Sequence, residues 1–122
     1  MALLWLSAGC SREDQRLQQH RKQFESLGAT TAAIGEAWLA GSVSGTFTLT
    51  ALDRTFQLVE QEQTALAASP NALLDPRGAE LSQAAEKLLR LLARLTGDVR
   101  SADATAVRQH LADIPIKPGE SR

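Results

Sequence analysis

The chain has one cysteine, Cys10, no tyrosine, three phenylalanines and two tryptophans among its 122 residues, and all four prolines lie at or beyond Pro70. A lone cysteine excludes a disulfide within the chain. Scarce aromatics, without regularly spaced β-branched runs, exclude a β-sandwich. The 13 basic and 14 acidic residues leave a net charge of -1 and form no stripe of one sign. A phosphate backbone therefore finds no electrostatic footprint, and nucleic acid is excluded as a partner. No repeat of solenoid period appears. The length, with 43% hydrophobic residues, closes one core and not two.

What the chain does have is alanine, leucine and long charged side chains, a helical composition. The expected fold is all-α, an up-and-down bundle of three long helices and a shorter C-terminal fourth. The first helix runs from about Arg12 to about Ala40. One heptad line takes Leu17, Phe24, Thr31 and Trp38, and the other His20, Leu27 and Ile34. Its second half is thin, with Gly28, Ala29, Ala32, Ala33, Gly35, Ala37 and Ala40, which predicts its closest approach to the second helix. Glu36 falls opposite this seam and reads as solvated. Gly41-Ser42-Val43-Ser44-Gly45 is turn and cap chemistry between antiparallel helices.

Thr46 to Thr50 alternates like a strand, but a lone strand has nothing to pair with. Leu49, Leu52, Phe56, Val59, Gln63 and Leu66 then recur at helical spacing, so the second helix is placed from about Thr46 to Ala68. Asp75-Pro76 opens the third, an acid at the N-cap followed by proline at the first helical position. Its inner stripe is Leu81, Ala85, Leu88, Leu92 and Leu95, widened by Ala84, Leu89 and Leu91. Arg90 and Arg94 complement the negative helix end, and Gly97 is its expected stop. The fourth helix, about Ala102 to Ile114, is capped by Ser101 or Asp103 and presents Val107, Leu111 and Ile114. Residues 115–122 read as a disordered tail.

The opening, Leu3-Leu4-Trp5-Leu6-Ser7-Ala8-Gly9-Cys10, is a short apolar run ending in small residues and the cysteine. Ser7-Ala8-Gly9-Cys10 resembles the lipobox of bacterial lipoproteins, where small residues precede a cysteine that is acylated before the signal is removed. Family usage places leucine three positions before the cysteine; here Ser7 holds that place and Leu6 stands one further out. The resemblance implies lipidation of Cys10, membrane attachment through it, residues 1–9 as the remnant of a signal peptide and residues 10–114 as the helical domain. Only nine residues precede Cys10 and none is basic. This carries the expectation that the signal begins upstream of Met1. Ser11 after the cysteine, rather than aspartate, implies outer-membrane sorting if the source is Gram-negative.

The span from Leu27 to Leu52 carries a single charge, Glu36, and a Gly-x-x-x-Gly spacing at Gly41 and Gly45. Its threonines and serines dilute its hydropathy, and a central carboxylate costs roughly 2.5–3.5 kcal/mol on insertion. It reads as a packed helical segment rather than a membrane span.

No enzyme is implied. Leu17 precedes His20 by three and Val107 precedes His110 by three, so neither histidine fits the Glu-x-x-His of di-metal bundles. No Gly-x-Ser-x-Gly or cysteine–histidine arrangement and no phosphate-loop ending is present. No cofactor, metal or small-molecule substrate follows from the residues. Trp38 is the candidate anchor for a protein partner, since tryptophan is enriched at interface hot spots, although its seam position favours core packing. The Glu60-Gln61-Glu62-Gln63 face is a second, weaker surface, since such faces are more often only solvated. The expected role is a membrane-tethered structural or protein-interaction module of the bacterial cell envelope. The rival is a soluble cytoplasmic helical adaptor or regulatory protein.

Overall fold

The computed structural model describes residues 2–69 and 71–116, with side chains described from Arg12. Four helices follow one another: α1 (Ala2–Leu39), α2 (Gly45–Ala68), α3 (Pro76–Arg100) and α4 (Ala104–Leu111). Among the described residues there is no strand. The directions alternate. Glu62, late in α2, meets His20 of α1, and Arg77, at the start of α3, meets Asp14 of α1. Leu111, at the end of α4, lies against Gly35 of α1. The bundle is thus up-and-down, with three long helices and one short.

Each helix start after α1 has its cap. The Ser44 hydroxyl accepts the Phe47 N–H at 3.1 Å, Asp75 accepts that of Arg77 at 2.9 Å, and Asp103 accepts that of Ala106 at 3.0 Å. α1 ends in the Schellman pattern, with the Gly41 N–H donating to Trp38 O and the Ser42 N–H to Ala37 O. Gly41 sits at φ 72°, the left-handed conformation that this stop requires. The Thr46 to Thr50 stretch is helical. There the buried Thr48 hydroxyl donates back to Ser44 O at 2.8 Å, and farther along α2 the buried Thr55 donates to Ala51 O at the same distance. A hydroxyl satisfied within its own helix can be buried without an unpaired donor.

The core is a continuous cluster of Leu17 and Phe24 of α1, Leu52, Val59 and Leu66 of α2, and Leu81, Ala85, Leu88, Leu91, Leu92, Leu95 and Val99 of α3. Ala72, Val107, Ile114 and Ile116 complete it. Every residue of the expected α3 stripe is buried. Phe56, placed in the core by its spacing, is half-buried instead, because the inward line of α2 runs through Thr48, Leu52, Thr55, Val59 and Leu66.

Several sequence expectations are corrected. The helical backbone of α1 begins at Ala2 and not near Arg12; nothing between them breaks a helix, since a single glycine such as Gly9 costs only about 1 kcal/mol. The most extensive helix contact is α2 with α3, not α1 with α2. The small residues of α1 serve other neighbours: a Cβ on Gly28 would stand 2.5 Å from Ile116 O, and one on Gly35 would stand 2.7 Å from Leu111 Cδ1. With α4 and the C-terminal segment on that side, the buried line of α1 passes through Gly28 and Gly35, while His20, Leu27 and Ile34 are only half-buried.

α3 does not stop at Gly97. It continues to Arg100 and closes with the Ala102 N–H on Val99 O and the Asp103 N–H on Asp98 O. α4 is shorter than expected, but Ile114 beyond its end is still buried. The tail is not free from residue 115: Ile116 is buried against the bundle, and residues 117–122 lie outside the described residues.

Candidate functional site

The two residues singled out by the sequence do not converge. Cys10 lies in α1, its side chain outside those described, and Trp38 lies in the last two turns of the same helix. At 1.5 Å per residue their separation along the axis is roughly 40 Å, so they occupy opposite ends. Trp38 is half-buried and packs against the core cluster. It is a packing residue with one accessible side.

At the Cys10 end, three polar side chains meet between α1 and α2. His20 Nδ1 is 2.7 Å from Glu62 Oε1, and its Nε2 is 3.4 Å from Ser69 Oγ. Serine, histidine and carboxylate in that order are the parts of a nucleophilic relay, but the surroundings withhold the rest. The Ser69 hydroxyl donates to Ala65 O at 3.2 Å, and the Ser69 N–H is taken by Leu66 O. The adjoining cavity, lined by Glu13, Arg16, Leu17, His20, Ser69, Asn71, Ala72 and Asp75, is about 20 Å³. That is room for a water molecule and not a substrate. The cluster therefore acts as a polar clamp fastening α1 to α2.

The turn between α2 and α3 forms this end. Asn71 takes the left-handed conformation at φ 62°, which asparagine tolerates. Its carbonyl accepts the N–H groups of Leu74 and Asp75. Arg77 then links the turn to α1, with Nη2 2.8 Å from Asp14 and 2.8 Å from Asp75. The guanidinium holds the Asp75 carboxyl below its ordinary value through a side-chain hydrogen bond first and the Arg77 N–H second. The same contacts raise the Arg77 value, its bond to Asp75 contributing most.

On the other side of the molecule, His110 of α4 pairs with Asp98 of α3 through Nδ1, fastening the short helix. An open groove over α3 is lined by Lys87, Arg90, Leu91, Arg94 and Asp113. Its three cations are exposed, so Arg90 and Arg94 meet solvent as well as the helix dipole. Among the described residues no three His, Cys, Asp or Glu side chains gather as a metal would require. Nor, among them, is any helix long and apolar enough to cross a membrane.

Spacing alone misses the clamp and the Arg77 link. His20 and Glu62 are 42 positions apart, and Asp14 and Arg77 are 63 apart. Glu62 reads as one member of a solvated Glu-Gln face until α1 is laid beside it. No protein-family model, curated protein or solved structure matches the chain. The fold and its surface define a four-helix up-and-down bundle whose two ends differ in chemistry.

Proposed function

We propose that this chain is a small helical lipoprotein, tethered to a membrane of the bacterial envelope through acylated Cys10, in which the bundle serves as a structural or protein-interaction module. The observation that carries the reading is Ser7-Ala8-Gly9-Cys10 at the end of an apolar run. Its place in the fold is compatible: Leu17, the first buried side chain described, comes two turns later. Acyl chains on Cys10 would leave the packed part undisturbed. Ser11 favours outer-membrane sorting in a Gram-negative host. Residues 1–9 are then signal, and any partner meets the helical surface beyond the anchor.

The test is intact mass with membrane fractionation of the full native reading frame, upstream codons included, expressed in a bacterial host. Two acyl chains make anchoring stable because each buried methylene contributes about 0.8 kcal/mol, whereas one chain is marginal. The expected product begins at a diacylated Cys10, stays with membranes at high salt and leaves with detergent. Cys10→Ser should lose both the added mass and the membrane retention with an unchanged far-ultraviolet circular dichroism spectrum. A wild-type product that keeps Met1, carries a free thiol and stays soluble replaces this reading with that of a cytoplasmic helical adaptor.

A further inference from the structure

Two leucines face water on the turn that closes the Cys10 end of the bundle: Leu73 is 46% exposed and Leu74 82%. The turn is held in place. Its Ala72 is buried with its N–H on Ser69 O, and it sits so close to α3 that a Cβ on Gly78 would collide with Ala72 O. Leu66 and Leu81, on the two helices that the turn joins, are buried. The two side chains are thus displayed from a firm support.

Arg77 binds this turn to Asp14 of α1 at 2.8 Å. Cys10 is four residues before Asp14, about 6 Å along the helix axis. Around the same end Arg12, Arg16 and Arg77 are balanced by Glu13, Asp14 and Asp75. A balanced ring has no pull on an anionic surface, which leaves apolar contact to decide what covers the leucines. Whatever holds Cys10 is the surface within their reach.

We propose that the Leu73-Leu74 turn inserts into the interfacial zone of the bilayer to which the chain is tethered, so that the bundle stands on the membrane with its α2–α3 turn down. The proposal rests on Cys10 being the lipidated residue. Two leucines alone would bind a bilayer weakly, but a tether at the same end of the bundle makes their insertion intramolecular, at an effective concentration far above that of a free chain. Apolar side chains of surface-lying segments enter to about 5–10 Å, the boundary between headgroups and acyl chains.

The mature chain, residues 10–122, coupled through its single cysteine to a maleimide phospholipid in phosphatidylcholine nanodiscs, tests this by methyl nuclear magnetic resonance with a nitroxide on the lipid acyl chain. The methyl signals of Leu73 and Leu74 should lose more than half their intensity, while those of Leu49 and Leu111, toward the other end, keep theirs. A chain capped with a soluble maleimide and mixed with the same discs should show no loss. In Leu73→Ser with Leu74→Ser, two exposed positions whose change leaves the core intact, the Asn71 and Asp75 amides should recover at least twofold in intensity. Leucine signals that match Leu49 on the coupled chain overturn the proposal. So does broadening that grows with protein concentration without lipid, the mark of a second copy on the tip. Because the maleimide supplies the tether, such a failure speaks against the orientation and leaves acylation to the mass measurement on the cellular product.

Discussion

Glycines in this bundle differ by what surrounds them. A Cβ on Gly78 would collide with the Ala72 carbonyl oxygen, a backbone atom, whereas nothing lies within 4 Å of one on Gly97. Gly78→Ala should therefore destabilise by at least about 1–3 kcal/mol, the range for overpacking. Gly97→Ala, inside α3, should stabilise by up to about 1 kcal/mol. Urea midpoints of the two variants check the contrast, and equal midpoints would mean that the 71–75 turn does not press on α3. Asp75 brings a pH dependence. Its carboxyl is held below 3.8 by Arg77, so its contribution is complete above that value and fades as pH falls through the lower folded value. Wild type should exceed Asp75→Ala in stability at neutral pH, with the gap closing in acid below 3.8. The effect is small, since solvent screens an exposed pair. A gap that widened in acid would contradict the assignment.

Among the elements, α1 and α3 end in the same hydrogen-bond pattern with different residues at the left-handed position: Gly41 at φ 72° and Ala102 at φ 54°. An alanine there is strained by roughly 1–2 kcal/mol, and a glycine gives back about 0.4–1 kcal/mol in unfolded-chain freedom. Ala102→Gly should thus raise stability by about 0.5–1 kcal/mol, read as a higher Tm. A lower Tm would place the strain elsewhere. The glycine that looks like the stop, Gly97, is passed over because an interior glycine only weakens a helix. The true end lies where Asp103 can cap α4 and turn it back onto α1. The starts of α2, α3 and α4 are legible from sequence for the converse reason. Ser44, Asp75 and Asp103 act on N–H groups two or three residues away, so their effect needs no tertiary partner.

For the whole molecule, stability rests on the shared core. Leu88 is fully buried, and Leu88→Ala should cost about 2–5 kcal/mol in chemical denaturation. Glu36 is exposed, and Glu36→Ala should cost less than about 0.5 kcal/mol. Equal midpoints would show that the inner stripe of α3 faces the wrong way. Glu62, which reads as equally solvated in the sequence, is instead tied to His20 across the α1–α2 contact. That difference marks the boundary between the two sources of information. Periodicity, caps and breakers act within a few residues, so the sequence by itself determined four helices, the α3 stripe through Leu81, Ala85, Leu88, Leu92 and Leu95, and the lipobox-like motif at Cys10. Only the tertiary structure decided which face of α1 receives α4 and Ile116, that α2 and α3 form the main contact, and that Leu73 and Leu74 stand at the Cys10 end. Those outcomes depend on which helices lie side by side, and contacts between residues 42 or 63 positions apart leave no local pattern from which they can be read.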